Sequence, residues 1–134
     1  MATSATASSS AQSMAARTSD RARRMRQARE APYAKILDFL YLGRDPGSGP
    51  ALALPPGTTH VLNLCSVKTY AAPQGVTVLH FPIEDNPRAA PALIKAAPRL
   101  CRFIESARSG GGLCYCHCRA GISRSATIVL YFLM

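Results

Sequence analysis

Residues 117–127 read HCRAGISRSAT and hold most of the chemistry in this chain. Cys118 and Arg124 are separated by five residues that include Gly121. The run sits between an apolar, strand-like segment and an apolar, helix-like one. A loop joining a strand to a helix N-terminus aims several backbone N–H groups at one point, and the helix dipole adds positive potential there. Gly121 allows the backbone angles such a cradle needs. Arg124 supplies a planar fork of donors that matches two phosphate oxygens. A thiol at the mouth of that loop is acidified, because loop amides, helix terminus and guanidinium all favour its anion. A thiolate beside a bound phosphate is a nucleophile aimed at phosphorus. The bland alternative for Cys118 is a small buried hydrophobe at a strand end. Gly121 and Arg124 behind it argue against that.

Four short apolar segments predict strands that bring this loop into place: Lys35–Leu42, His60–Leu64, Val76–Ile83 and Leu113–Cys118. Each is bounded by Gly or Pro and rich in β-branched or aromatic residues. Two segments predict helices. In Pro91–Ala107 the apolar residues Leu93, Ile94, Ala97, Leu100, Cys101 and Ile104 recur at helical spacing, and Pro91 suits a first turn. Pro98 lies inside and is expected to kink or split that helix. The second helix runs from about Ser123 onward, and Ser123 and Ser125 are N-cap candidates. Strands alternating with helices predict an α/β layer fold.

The 134 residues allow one domain, with a formal net charge of +9. Residues 1–30 differ from the rest: they are Ala- and Ser-rich, with six arginines against Asp20 and Glu30. This tail has no large apolar residue beyond Met and is expected to be disordered on its own. Three readings of it stay open: a solvated arm, an organelle transit peptide, or a nuclear-targeting or nucleic-acid-binding patch at Arg21–Arg29. No aromatic is interleaved with those arginines, so phosphate contact is offered and base stacking is not. The longest apolar run, Ala126–Met134, is too short to span a bilayer, and no secretory signal core is present. A cytoplasmic or nuclear location is expected. Five cysteines without framework spacing point to free thiols in a reducing compartment. Cys114, Cys116 and Cys118 alternate along one strand and share a face. With His117 they suggest a metal, but structural zinc sites set their cysteines in turns, so neither metal nor cofactor is expected.

Residues 117–125 resemble the HC(x)5R(S/T) signature of the cysteine-based protein phosphatases, and HCRAGISRSAT is most similar to the dual-specificity branch. Upstream, residues 40–43 (LYLG) resemble that branch's LYLG segment, residues 59–64 (THVLNL) its ITHVLN strand, and residues 81–85 (FPIED) the IPIxD segment that carries its general acid. The likeness covers about residues 35–134 in order. It implies a central mixed sheet flanked by helices, with a catalytic domain at 31–134 after the tail at 1–30. It also implies roles. Cys118 forms a phosphocysteine. Arg124 and the amides of Arg119, Ala120, Gly121, Ile122 and Ser123 hold the phosphoryl oxygens. Asp85 protonates the leaving oxygen and then activates water. Ser125 donates to the departing thiolate, and His117 braces the loop. For Asp85 the bland reading is a turn or cap residue beside Asn86-Pro87.

Asn63-Leu64-Cys65 is similar to the NLC of the tensin-related lipid phosphatases, which makes Cys65 a candidate redox partner of Cys118. A buried, unreactive thiol is the other reading. At Cys116 the family usually has valine or a similar residue. The helix after the loop is apolar on every side, as if built to be covered. Family domains continue with further helices, so a C-terminally truncated domain is expected. The expected function is hydrolysis of phosphotyrosine and phosphoserine or phosphothreonine in protein substrates, with no membrane partner. The loop lacks the lysines of the lipid phosphatases. The alternatives are an RNA 5′-phosphatase that grips its substrate through the basic tail, and a non-catalytic phosphoprotein-binding fragment.

Overall fold

The computed structural model describes residues 15–22, 32–120 and 123–134. The chain divides into two compact units, residues 1–31 and 32–134. In the first, residues 15–22 form a helix, α1. Three of these eight residues are alanine, the strongest helix former. Residues 23–29 of the basic patch lie outside the described residues.

The second unit is a five-stranded sheet with two helices. Its strands are β1 (Tyr33–Leu37), β2 (Leu40–Gly43), β3 (His60–Asn63), β4 (Thr77–His80) and β5 (Cys114–His117). The helices are α2 (Ala90–Ser109) and α3 (Arg124–Leu133). A short 3-10 turn, Pro87–Ala89, precedes α2. The strand order is β1-β2-β5-β3-β4. Only β1 and β2 run antiparallel; β5 is parallel to both β2 and β3, and β3 to β4. The sheet is therefore mixed, as expected.

Two strand expectations need correction. The run Lys35–Leu42 is a hairpin rather than one strand. It turns at Asp38-Phe39, with its register shifting between Lys35 and Leu37. Asp38 is the polar residue that breaks the run; it faces solvent and pairs with Lys35 at 3.0 Å. Val76–Ile83 pairs only over Thr77–His80. Pro82, which has no N–H to donate, follows the last backbone bond, from Phe81 N to the Asn63 carbonyl.

The central strand β5 is buried on both faces. Cys114, Cys116 and Cys118 join Leu40, Leu62, Leu64 and Ile83 in the core beneath the helices. Tyr115 and His117 point the opposite way, as the period of two requires. The Tyr115 ring meets Tyr33 edge-on, and its hydroxyl donates to the carbonyls of Pro32 and Arg44. A Cβ at Gly43 would run into the Pro32 carbonyl and the Tyr115 hydroxyl, so only glycine fits there.

Helix α2 buries Leu93, Ala97, Leu100, Ile104 and Ala107, a stripe of alternating fours and threes. Ile94 falls outside that stripe and is 56% exposed, contrary to the pattern read from sequence. Pro98 does not split the helix, which is continuous from Ala90 to Ser109. Pro98 is on the solvent face, where water can satisfy the carbonyl it leaves without a partner. Helix α3 buries Ile128 and Val129 and exposes Leu130, Tyr131 and Leu133. No helix among the described residues is long and apolar enough to cross a membrane.

Candidate active site

Parallel strands end at a common edge, and side chains just beyond those ends converge. Asp45 follows β2, Cys65 follows β3, Asp85 follows β4 and Cys118 follows β5. The three parallel pairings thus gather residues 45, 65, 85 and 118 from distant parts of the chain. Gly121 and Ile122, two members of the expected phosphate loop, lie outside the described residues. Arg119 and Ala120 are exposed at the start of that loop.

Cys118 is buried, and its Sγ lies 3.2 Å from Ser125 Oγ on the first turn of α3. A hydroxyl at that distance can donate to a thiolate. Ser125 is fully buried and so cannot be a solvent-facing cap. Ser123 occupies the N-cap position but makes no side-chain capping bond. Its Oγ donates instead to Asp85 Oδ1 at 2.7 Å.

Arg124 is also buried, which is costly for a cation unless its donors are matched. Nη1 donates to the carbonyls of Ile83 (2.8 Å) and Leu64 (3.3 Å), tying the loops after β4 and β3 to the start of α3. Nε is buried, without a hydrogen-bond partner among the described residues, 3.9 Å from Asp85 Oδ1. A buried charged donor left unmatched is the kind of group an anionic ligand would satisfy. Arg124 lies between two cavities. One of about 300 Å³ is bounded by Asp85, Pro87, Leu93, Ser123 and Thr127. The other, of about 380 Å³, is bounded by Asp45, Cys65, Thr69 and Arg119. The Asp85 side chain is 62% exposed beside the first.

His117 is enclosed on the far side of Cys118. Its Nε2 shares a 2.6 Å hydrogen bond with Tyr70 Oη, and its Nδ1 is 3.7 Å from Cys65 Sγ. Burial pushes its pKa down to about 4, against a weaker opposing pull from Asp45. It is therefore neutral at pH 7. The same burial, reinforced by Asp45, raises the Cys65 thiol to about 11. Asp45 accepts from Thr69 Oγ1 on both carboxylate oxygens and from Gly47 N, while its own N–H donates to the Arg119 carbonyl.

Asp45, Cys65 and His117 each place a donor atom within 4.8 Å of the others. All three are metal-ligand types. The carboxylate and the imidazole are, however, already engaged by Thr69, Gly47 and Tyr70, and two arginines face the adjoining cavity. The trio lies behind the start of the loop, tied to it by the Asp45 N–H on the Arg119 carbonyl. Sequence reading missed Asp45, Thr69 and Tyr70, which belong to no local motif. The hydroxyl, carboxylate and aromatic types in the loops after β2 and β3 were the available signal. None of the five cysteines is in a disulfide.

The low His117 pKa has a sign that can be checked. Below pH 6.5 the unfolded imidazole takes up a proton that the folded one refuses until about pH 4. His117 therefore favours folding fully above pH 6.5, and that contribution is lost as pH falls from 6.5 to 4. The loss is about 3 kcal/mol. Urea unfolding between pH 7.5 and 4.5 should show it. A His117→Gln variant should have a shallower pH dependence by about one proton over that window.

Residues 40–134 match the family model described as "Dual specificity phosphatase, catalytic domain". Dual specificity protein phosphatase 22-A of Danio rerio is 35% identical over 102 residues, covering 75% of this chain and 47% of that protein. Dual specificity protein phosphatase 15 of Mus musculus is 35% identical over 108 residues, covering 75% and 42%. The chain thus spans somewhat under half the length of these relatives. Among solved structures, DUSP15 superposes with a TM-score of 0.65 at 32% identity, covering 76% of this chain and 64% of that one. A human tyrosine phosphatase-like serine/threonine/tyrosine-interacting protein gives 0.66 at 29%, covering 76% and 72%.

Proposed function

We infer, from the premise that this chain belongs to the dual specificity phosphatase catalytic-domain family, that it hydrolyses phosphate monoesters on protein tyrosine, serine and threonine. The observation that carries this is the pairing of a buried Cys118, with Ser125 Oγ at 3.2 Å, and a buried Arg124 with an unmatched Nε.

In the proposed reaction the Cys118 thiolate attacks phosphorus. An S–P bond forms, the P–O bond to the substrate breaks, and the leaving oxygen takes a proton from the Asp85 carboxyl. Water then attacks the phosphocysteine. Its proton returns to Asp85, the S–P bond breaks, and inorganic phosphate leaves. Arg124 and the loop amides balance charge on the three phosphoryl oxygens throughout. Ser125 Oγ donates to the sulfur as it becomes an anion again, and its burial lends that bond weight. Neutral His117 cannot act as a counter-charge. Its part is positional, holding the base of the loop through Tyr70.

The catalytic domain is proposed to span residues 31–134. The non-catalytic reading has little support beside a chain that retains Cys118, Arg124 and Asp85. The RNA reading rests on a basic patch of which residues 23–29 lie outside the described residues. The full chain, given phosphotyrosine and phosphothreonine peptides, should release inorganic phosphate from both. Folded protein that releases none would overturn the reading.

Cys65 is proposed as the redox partner of Cys118. Peroxide would oxidise the Cys118 thiolate to a sulfenic acid. The Cys65 thiol would then displace water from that sulfur to form a disulfide. A thiol raised to about 11 is a slow attacker at neutral pH. The linked peptide should therefore accumulate faster at pH 8.5 than at pH 6.5 when peroxide-treated protein is digested and weighed by mass spectrometry. No linked peptide at either pH would dismiss the pairing.

A further inference from the structure

We propose that Ser123 is a positioning residue for the proton transfer, holding Asp85 by Oδ1 so that Oδ2 carries the proton to the leaving group. The proposal rests on the phosphatase reading above. It adds a role for a side chain that the phosphate loop uses only through its backbone.

Three observations carry it. First, Asp85 sits on an irregular segment after β4, with a side chain 62% exposed. A carboxylate in that setting samples several rotamers unless something fixes it. Second, Ser123 Oγ fixes it by donating to Oδ1 at 2.7 Å. Arg124 Nε approaches the same oxygen at 3.9 Å, and Oδ2 takes part in neither contact. Third, Ser123 stands where a serine would ordinarily bond the N-terminal amides of its helix, and it makes no such bond. The hydroxyl serves the loop after β4 instead. The Ser123 carbonyl also accepts from Thr127 Oγ1 at 2.8 Å and from Thr127 N at 3.0 Å, so its backbone is fixed to α3. The donor that holds Asp85 is thus mounted on the helix that also carries Arg124 and Ser125.

The chemical consequence concerns which oxygen is protonated. A carboxyl whose Oδ1 accepts a hydrogen bond from a hydroxyl keeps its proton on Oδ2. In the first step that proton passes to the departing oxygen, and in the second a water proton returns to the same atom. Without the hydroxyl, Asp85 retains its charge chemistry but loses its aim. The deficit should grow with the need for protonation. An acidic phenol leaves as its anion almost unaided, whereas ordinary phenol, with a pKa of about 10 as in tyrosine, needs the proton.

The experiment compares kcat/KM for 4-nitrophenyl phosphate and phenyl phosphate in the full chain. Ser123→Ala should lower kcat/KM for phenyl phosphate about tenfold more than it lowers that for 4-nitrophenyl phosphate. Asp85→Asn should show the same selectivity with a larger loss, and Ser123→Thr, which keeps the hydroxyl, should restore phenyl phosphate turnover. Should Ser123→Ala fold poorly, Ser123→Gly removes the same hydroxyl at a position where glycine is well tolerated. Equal losses on both substrates would assign Ser123 a structural role and overturn the proposal, as would no loss on either. Wild-type protein that hydrolyses neither ester would remove the phosphatase reading itself, and this proposal with it.

Discussion

Cys118→Ser is expected to leave the chain folded and to lower hydrolysis of a small aryl phosphate by at least about 10³-fold. The change replaces one atom at a site only 1% exposed. Oxygen is smaller than sulfur and a serine suits a strand end, so circular dichroism and the melting midpoint should stay near those of the parent. The chemistry does not survive. A loop arranged to favour a thiolate should not ionise an alcohol, whose pKa lies far above that of a thiol, at neutral pH. His117, the nearest imidazole, already has its nitrogens beside Tyr70 and Cys65. The variant should still bind phosphate esters, because Arg124 and the loop amides are untouched. Parent protein that turns over and a folded variant that retains a tenth of that rate would exclude Cys118 as the nucleophile.

Arg124→Lys should be the second most damaging change, and it should act on two readouts. Activity is expected to fall about 10²- to 10³-fold in kcat/KM, the range for removing a preorganised donor from developing charge. Lysine keeps the charge but not the planar fork. Stability should fall too, by about 1–3 kcal/mol. Nη1 bonds the carbonyls of Leu64 and Ile83 at once, and a single ammonium cannot serve both and a phosphoryl group. The two carbonyls belong to the loops that deliver Cys65 and Asp85, so loosening them also moves the acid. Titration with tungstate, a tetrahedral oxyanion, should show weakened binding before any chemistry is measured. Unchanged activity with lowered stability would make Arg124 a structural tie only.

Cys118 and Arg124 were legible in sequence as a candidate nucleophile and its cation because one loop carries both, and the distance between them is set by local backbone geometry. Asp85 was legible only through resemblance. Nothing in the residues 81–86 distinguishes it from Glu84 as an acid, and only its position opposite Ser123 separates them. Asp45, Thr69 and Tyr70 stayed hidden for a different reason. They reach the site by strand pairing and by the loop after β3, and a long-range contact leaves no spacing to read. The same blindness explains the hairpin at Asp38-Phe39. A continuous apolar run does not reveal whether its two halves continue or fold back. Pro98 was expected to kink or split α2 and does not split it, because the cost of a proline depends on which side of the helix faces water.

The middle position of β5 bears on how the chain is made. It is the last of these five strands in chain order, yet it pairs with both β2 and β3. Until residue 117 emerges, the β1–β2 hairpin and the β3–β4 pair each present an unpaired edge to their surroundings, and such edges invite misassociation. Insertion of β5 closes both edges in one event and places Cys118 at its end. A nascent chain therefore gains Cys118 and joins the two halves of its sheet together.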